Sequence, residues 1–254
     1  MTLPSKSKTS SGLTADEVTM IKQFCGQINW LSTQSRPDIS FDSCQLANSL
    51  KSEDSKVFSF ANKIIRKVKS QSVILQFRKN FDLKSCYVAT FCDASFANLA
   101  NGGSQGSYVS LLVDGNGIYC PIAWQSRKIR RVVKSTLGAE CLAALEATET
   151  SIYLANIIKD ILNLSQCVKT YIFCDNKNLV NSVHSSTNIE DKRLIVDISA
   201  LRDFLQQQEL SDFVWVPTER QLANALTKQG ASDELLLKVF NDKMTFKFDS
   251  AVFV

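Results

Sequence analysis

Three acidic side chains occupy positions at which a sheet and a helix could bring them together. Asp93 directly follows a mostly apolar run at 87–92, and Asp175 directly follows a similar run at 168–174. Glu140 lies in the first turns of a predicted long helix, at the rim of its apolar stripe. An acid after a strand is often only a turn or cap residue, but three converging carboxylates repel each other unless a divalent cation lies between them. Oxygen ligands of this kind favour Mg²⁺ or Mn²⁺.

The elements that would position these acids follow from hydrophobic periodicity and turn residues. Apolar runs bounded by glycine-containing turns predict strands, and longer stretches with helical spacing predict helices. Three hairpin strands come first, followed by strand–helix units, which indicates an α/β fold with a mixed five-stranded sheet flanked by helices. The predicted strands are 87–92, 107–113, 118–124, 168–174 and 213–216, and the predicted helices are 135–162, 176–183 and 190–208.

Three weaker patterns add expectations at the borders of this domain. The apolar residues at 73–77 could form an edge strand. Thr218 and Gln221 have the spacing of a capping box, which predicts that a last helix begins there. Trp124 and Trp215 fall in predicted strands and are expected in the core.

Residues 14–71 are expected to form a helical segment in front of the sheet. Thr14 and Glu17 have the spacing of a capping box at the start of a first helix. Asp38 is expected to cap a second helix, and a third is predicted over about 54–69. The apolar stripes of these helices need a partner surface, so we expect the segment to be an appendage of the sheet domain.

Composition excludes several classes of protein. The chain of 254 residues has a net charge of +4, which is compatible with a nucleic-acid partner but does not demand one. It contains no apolar stretch long enough to span a membrane, and the polar leader at 1–13, expected to be disordered, is no signal peptide. The expected compartment is therefore the cytoplasm or the nucleus. With one histidine and no Cys-x-x-Cys pair, a Cys₂His₂ zinc site cannot form, and the eight cysteines are interpreted mainly as small buried hydrophobes.

The acids and several motifs resemble the ribonuclease H domain of copia-type retrotransposon reverse transcriptases. Asp93 matches the family's strand aspartate, Glu140 its Ala-Glu-x-x-Ala run, and Asp175 its Cys-Asp-Asn motif. The motifs Gly-Ser-Tyr at 106–108, Trp-Gln-Ser-Arg-Lys at 124–128, Val-Pro-Thr-Glu-Arg-Gln-Leu-Ala-Asn-Ala-Leu-Thr-Lys at 216–228 and Ser-Arg-Pro-Asp-Ile-Ser-Phe at 35–41 are also similar to the family's. The resemblance covers about 14–230. It implies a leader at 1–13, a helical connection segment at 14–71, an RNase H-like domain at 72–230 and a tail at 231–254.

The resemblance implies hydrolysis of the RNA strand of an RNA–DNA hybrid by two Mg²⁺ or Mn²⁺ ions, as in a retrotransposon Pol polyprotein. Asp93 would be shared by both ions, with Glu140 and Asp175 on one each. Asn224 stands where the family has a fourth acid, and an amide contributes no charge, so the second ion should bind more weakly. Gly138 likewise replaces an acid of the family, on the surface of the helix.

An active nuclease has two alternatives. Asn224 favours a catalytically impaired, domesticated or degraded remnant that keeps the fold and binds nucleic acid or a protein partner. A transposase or integrase is rejected, since the order of acids here is Asp, Glu, Asp. No Tyr-x-Asp-Asp motif occurs, so the chain does not polymerise DNA by that chemistry, and a polymerase domain or another protein as partner stays open.

Two segments are candidates for contact with the hybrid. A run with five cations in eight residues is either a phosphate track or a solvated loop. A glycine-containing turn could allow close approach of the backbone to 2′-hydroxyls, or be only a turn. His184 lies too far before Asn224 to be assigned the product-release role of related enzymes. The candidate binding residues are Gly103, Ser104 and Gln105 in the turn and Arg127, Lys128, Arg130, Arg131 and Lys134 in the basic run.

Overall fold

The computed structural model describes residues 13–50, 56–99, 102–185 and 191–254. The chain divides into two compact units between Ile74 and Leu75. The leader expected over 1–13 falls outside the described residues except for Leu13, as does the predicted start of the third helix at Asp54. No helix in the described ranges is long and apolar enough to cross a membrane.

The first unit is a small helical bundle. Helix α1 spans Ala15–Gln34, a 3₁₀ turn spans Pro37–Ile39, α2 spans Ser40–Ser49 and α3 spans Lys56–Ser70. The capping box predicted for α1 is confirmed, because Glu17 N–H donates to Thr14 Oγ1 at 3.3 Å and Thr14 N–H donates to Glu17 Oε2 at 2.8 Å. The three helices bury one apolar core, made of Ile21, Phe24, Ile28, Ile39, Leu46, Val57, Phe58, Ala61 and Ile64.

The role predicted for Asp38 is wrong. Its carboxylate lies in the 3₁₀ turn, and α2 begins after Ile39 without a side-chain cap. Asp38 instead accepts two hydrogen bonds from Arg36, at 2.8 Å to Oδ1 and 2.7 Å to Oδ2. Arg36 Nη1 donates to the carbonyl of Val68 on α3 at 3.1 Å, so the arginine of this ion pair connects the turn to the last helix of the unit. Both side chains are buried, and the bidentate pair gives Asp38 a stronger partner than a helix end would.

The second unit contains the predicted mixed five-stranded sheet. Its strands lie in the order β3-β2-β1-β4-β5, with β1 to β3 antiparallel and with β4 and β5 parallel to β1. The strands span Tyr87–Ser95 (β1), Gln105–Val113 (β2), Tyr119–Lys128 (β3), Lys169–Cys174 (β4) and Asp212–Trp215 (β5). The fold class expected from the sequence is therefore confirmed.

Three helices accompany the sheet. Helix α4 spans Thr136–Ile161, α5 spans Lys177–His184 and α6 spans Lys192–Gln206. Each begins with a side-chain cap, from Ser135, Asn176 and Asp191 respectively. Their apolar faces bury a core that includes Cys92 of β1 and Cys174 of β4, so these cysteines face the helices.

The other face of the sheet is covered by the end of the chain. Helix α7 spans Glu234–Asn241, and β6, Phe246–Lys247, pairs with β7, Val252–Phe253. Phe246 packs 5.6 Å from the ring of Phe173 and 6.0 Å from that of Phe91. Because side chains alternate along a strand, these phenylalanines point away from α4 and the sheet is packed on both faces.

Two predicted elements are absent. Residues 73–77 form no strand, and the side chain of Gln76 instead donates to the carbonyl of Asn241. Apolar residues alone do not make a strand, because a strand also needs a neighbouring backbone with which to form hydrogen bonds. No α-helix begins at Thr218: the chain forms two 3₁₀ turns, Thr218–Arg220 and Leu222–Leu226. The Gln221 side chain is bonded to the sheet rather than to a helix start, as described below.

Candidate active site

The strand pairing places two of the candidate acids at one edge of the sheet. Cys92 of β1 lies directly opposite Cys174 of β4, so Asp93 and Asp175 are neighbours. Asp175 directly follows β4, as predicted, but Asp93 lies within β1, which continues to Ser95 because its last residues still pair with β2. Glu140 reaches the same edge from the first turns of α4, where its Oε2 accepts a hydrogen bond from Ala94 N–H at 3.1 Å. Asp93 and Glu140 are only 2% and 5% exposed.

A cysteine completes the closest group of possible ligand atoms. One carboxylate oxygen of Glu140, one of Asp175 and the sulfur of Cys174 all lie within 4.8 Å of one another. Asp93 is not a member of this group among the described residues. The structure thus brings Glu140 and Asp175 together, places Asp93 on the adjacent strand, and adds Cys174, which the sequence analysis treated as a buried hydrophobe.

Burial and the neighbouring negative charges raise the pKa values of Asp93 and Glu140 and so disfavour their ionised forms. Burial raises the pKa of Asp93 to about 6, with the charge of Asp175 adding to the rise and a hydrogen bond from Thr227 opposing it. Burial also raises the pKa of Glu140 well above its ordinary value, and the charges of Asp93 and Asp175 act in the same direction. A set of carboxylate oxygens in this state fits a divalent cation, because the ion removes the repulsion that burial intensifies.

The segment that replaces the predicted last helix fixes the edge of the sheet. Gln221 Nε2 donates to the carbonyls of Cys92 at 2.9 Å and Phe173 at 3.1 Å, so one amide spans β1 and β4. Thr227 Oγ1 donates to Oδ2 of Asp93 and thereby orients it. The closing motif therefore positions the acids through backbone and side-chain hydrogen bonds.

Asn224 lies in the same segment but is held by a cation. Its Oδ1 accepts a hydrogen bond from Lys228 Nζ at 3.3 Å. The charge of Lys228 lowers the pKa of both Asp93 and Glu140, so the ammonium lies within electrostatic reach of the acids. Sequence reasoning missed Lys228, although it is the last residue of the quoted closing motif.

An exposed aromatic side chain borders Asp175. Trp215 is 39% exposed at the end of the short edge strand β5, so its predicted place in the core is wrong. Its Nε1 donates to the carbonyl of Asp175 at 3.1 Å, and Lys177 Nζ lies 4.1 Å from the centre of its ring. Thr218 Oγ1 donates to Oδ2 of Asp175 at 2.8 Å. This side of the site offers a ring and a cation to solvent.

Two arginines of the predicted basic run form ion pairs with acidic residues of the helices. Arg127 Nε lies 2.8 Å from Glu146 of α4, and Arg131 binds both carboxylate oxygens of Asp197 on α6, with Nη1 at 2.9 Å from Oδ1. The other three cations, which form no ion pair with the described part of the chain, are Lys128, Arg130 and Lys134.

The predicted glycine-containing turn uses its polar side chains internally. Ser104 and Gln105 are buried: Ala97 N–H donates to Ser104 Oγ at 3.1 Å, and Gln105 Nε2 donates to Ser126 Oγ at 2.9 Å. Leu99 N–H donates to the carbonyl of Gly103 at 3.1 Å, which closes the turn. Any contact with a ligand here would involve the backbone near Gly103 rather than these two side chains.

No protein-family model matches the chain, and no curated protein matches it in sequence. Among solved structures, it is similar to RNase H1 from the halophilic archaeon Halobacterium salinarum, with 19% identity and a TM-score of 0.40, over 59% of this chain and 97% of that one. It is similar to LC11-RNase H1 in complex with an RNA/DNA hybrid, at 15% identity and a TM-score of 0.41, over 55% of this chain and 93% of that one. It is similar to a foamy viral protease–reverse transcriptase in complex with an RNA/DNA hybrid, at 14% identity and a TM-score of 0.38, over 68% of this chain and 26% of that one. The fold assignment depends on the strand order and pairing of this chain.

Proposed function

We propose that this chain hydrolyses the RNA strand of RNA–DNA hybrids with the help of divalent cations bound at Asp93, Glu140 and Asp175. The observation that carries the proposal is the meeting of these carboxylates at the ends of β1 and β4, with two of them nearly buried and their pKa values raised. Carboxylates whose pKa is raised by burial and by a neighbouring like charge are candidates for a functional site.

The residues present fit hard divalent cations such as Mg²⁺ or Mn²⁺. Bound there, the cations would supply an activated water and stabilise the leaving 3′ oxygen of a phosphodiester. The chain's part is to hold the oxygens: Thr227 orients Asp93, Thr218 orients Asp175, and Ala94 N–H orients Glu140. Asn224 provides a neutral oxygen at the fourth position, which we expect to weaken binding of a second ion.

The surroundings of the site offer contacts for a nucleic acid. Lys177 and Trp215 lie beside Asp175, and Lys128, Arg130 and Lys134 form no ion pair with the described residues. Cations of this kind bind phosphates, and an exposed ring can stack on a base or sugar. Selection of RNA over DNA at the cut strand requires contacts to 2′-hydroxyl groups, for which we propose the turn at Gly103.

The test is cleavage of an end-labelled RNA–DNA hybrid in Mg²⁺ and in Mn²⁺. Glu140→Gln should abolish the products, whereas Glu149→Gln, the same change on an exposed part of α4, should leave them unchanged. Double-stranded DNA of the same sequence should stay intact. Tight binding of the hybrid without cleavage by either ion would reject the nuclease and leave the impaired, nucleic-acid-binding remnant that Asn224 favours.

A further inference from the structure

Helix α3 of the first unit carries positive charges only. Its 15 residues, Lys56–Ser70, include five lysines and arginines and no acid. Lys63 and Arg66 are exposed in the middle of the helix, and Lys69 is exposed in its last turn. Because these three cations are spaced three residues apart, they lie along one side of the helix.

The stability of the helical unit explains some of these cations but not Lys63 and Arg66. Lys67 donates to the carbonyl of Asp38 at 2.8 Å and lies 3.9 Å from a carboxylate oxygen of Asp42. Cations in the last turn of a helix, where Lys67 and Lys69 lie, also interact favourably with its dipole. Lys63 and Arg66 precede that turn, and neither forms an ion pair or a side-chain hydrogen bond with the part of the chain that the structure describes. Like charges at this spacing lower the stability of a helix, so the fold itself gains nothing from them.

The apolar side of α3 is already occupied, which restricts the kind of partner. Val57, Phe58, Ala61 and Ile64 are buried in the core of the helical unit. A basic amphipathic helix binds a membrane surface or a groove of another protein by inserting its apolar side, and α3 has none to offer. Only the cationic side is accessible, and the groups that it fits are the closely spaced phosphates of a nucleic-acid backbone.

We propose that α3 binds the phosphate backbone of the RNA–DNA hybrid through Lys63 and Arg66, with Lys69 on the same side of the helix. The contact is independent of base sequence, because the cations meet phosphates rather than base edges. Bound phosphates also remove the repulsion between the cations, so the helical unit adds affinity for the duplex. The inference rests on the proposed function for its choice of the hybrid, but its test measures binding without cleavage. Failure to cleave and failure to bind through α3 are therefore separate results.

The experiment is fluorescence anisotropy of a labelled hybrid titrated with the full chain in EDTA, over a series of salt concentrations. Lys63→Gln combined with Arg66→Gln should weaken binding at least about fivefold at low salt and reduce the slope of log Kd against log salt concentration by about 1–2, since each phosphate contact contributes about 0.9. Lys63→Arg combined with Arg66→Lys keeps both charges and should bind like the wild type. The matched control is Lys243→Gln combined with Lys247→Gln, which removes two exposed cations that form no ion pair with the described residues, and it should keep the affinity and the slope.

Three results would overturn the proposal. Unchanged binding in the α3 double variant, or no binding by the wild type, would show that α3 is not a contact. Equal losses in the α3 variant and the control would show that only the overall charge matters. Binding to phosphatidylserine vesicles that is lost in the α3 variant, beside unchanged binding of the hybrid, would assign the surface to a membrane.

Circular dichroism checks that each variant is folded. If the α3 double variant does not fold, Lys63→Gln and Arg66→Gln are measured singly, and each should reduce the salt slope by about 1. A wild type that binds the hybrid through α3 but does not cleave it when Mg²⁺ or Mn²⁺ is added would support this inference and reject the nuclease alone.

Discussion

Asp38 of the first unit and Asp93 and Glu140 of the candidate site in the second unit are all buried, but their charges are compensated in different ways. In the first unit, Asp38 accepts both of its hydrogen bonds from Arg36, and Lys67 donates to its backbone carbonyl at 2.8 Å. In the second unit, the charge of Asp93 raises the pKa of Glu140. A hydroxyl donates to Asp93 and a backbone N–H donates to Glu140, and the one cation that lowers both pKa values is that of Lys228, which forms no ion pair with either acid among the described residues.

We expect this difference to distinguish a structural ion pair from acids that bind a ligand. A buried ion pair neutralises itself and needs nothing from outside, although it seldom adds much stability over an apolar pair. Buried acids without such a partner carry a standing cost in free energy, which a bound cation would remove. We expect substitutions in the ion pair to lower the stability of the fold, and substitutions of the unpaired acids to weaken binding of a cation.

The largest expected effect concerns cleavage by the acids of the second unit. Asp93→Asn should lower cleavage of RNA–DNA hybrid by about a thousandfold, since a shared metal ligand supplies several kcal/mol of transition-state stabilisation. The measurement is initial rate with saturating Mg²⁺. Asp160→Asn, at the exposed far end of α4, is the control and should retain full activity. Comparable rates in Asp93→Asn and the wild type would remove Asp93 from the site.

The next effect concerns the self-neutralised pair. Arg36→Met leaves the Asp38 carboxylate buried without its partner and should lower the free energy of unfolding by about 3–5 kcal/mol. Arg36→Met combined with Asp38→Leu should recover much of that loss, because both charges are then gone. Urea unfolding followed by circular dichroism measures both. If the double variant is as unstable as the single one, the pair contributes more than charge compensation.

A third prediction concerns how the stability of the Asp93 variant depends on pH. In EDTA, Asp93→Asn should be more stable than the wild type at pH 8, by at most about 3 kcal/mol, because the pKa of Asp93 is raised from 3.8 to about 6 and its ionised form is disfavoured in the fold. Below about pH 3 the carboxyl is protonated in the folded and unfolded chains alike, and the advantage should vanish. Thermal unfolding across pH 3–8 measures it. An advantage that is constant with pH would show that the gain has another source.

The smallest expected effect concerns the neutral fourth position. Asn224→Asp should raise the Mg²⁺-dependent rate by about three- to tenfold and the Mn²⁺-dependent rate by less, because the added charge helps the more weakly held ion. Rates with each ion at several concentrations measure it. An unchanged Mg²⁺ rate beside a fully active wild type would make the position irrelevant. If both chains are inactive yet bind hybrid, the impaired remnant is supported.

Local patterns in the sequence were sufficient for much of the fold. The five strands were predicted because apolar runs and glycine-containing turns alternate regularly, and the capping box at Thr14 follows from side chains that act within one turn. The acids could be placed near one another because β1 and β4 are parallel neighbours, which brings Asp93, near the end of β1, and Asp175, directly after β4, to the same end of the sheet. These are interactions between near neighbours or consequences of strand order.

What the sequence could not supply are contacts between distant residues. Gln221 has the spacing of a capping residue, but its amide binds the carbonyls of Cys92 and Phe173, which are far away in the chain. The apolar run around Cys174 indicates only a buried residue, whereas the closeness of its sulfur to a carboxylate depends on Glu140 approaching from α4. Asp38 could cap a helix on local grounds, but the bidentate partner two residues earlier binds it instead.

The packing of β6 and β7 also bears on where the protein can be shortened. The family resemblance ends near residue 230, and a chain cut there would lose Phe246 and Phe253, which cover the rings of Phe91 and Phe173. Those two rings are 0% exposed in the intact protein, and they belong to the same strands that carry Asp93 and precede Asp175. A chain that ends near residue 230 would therefore expose an apolar face of the sheet and tend to aggregate. Protein for the assays above should extend to Val254.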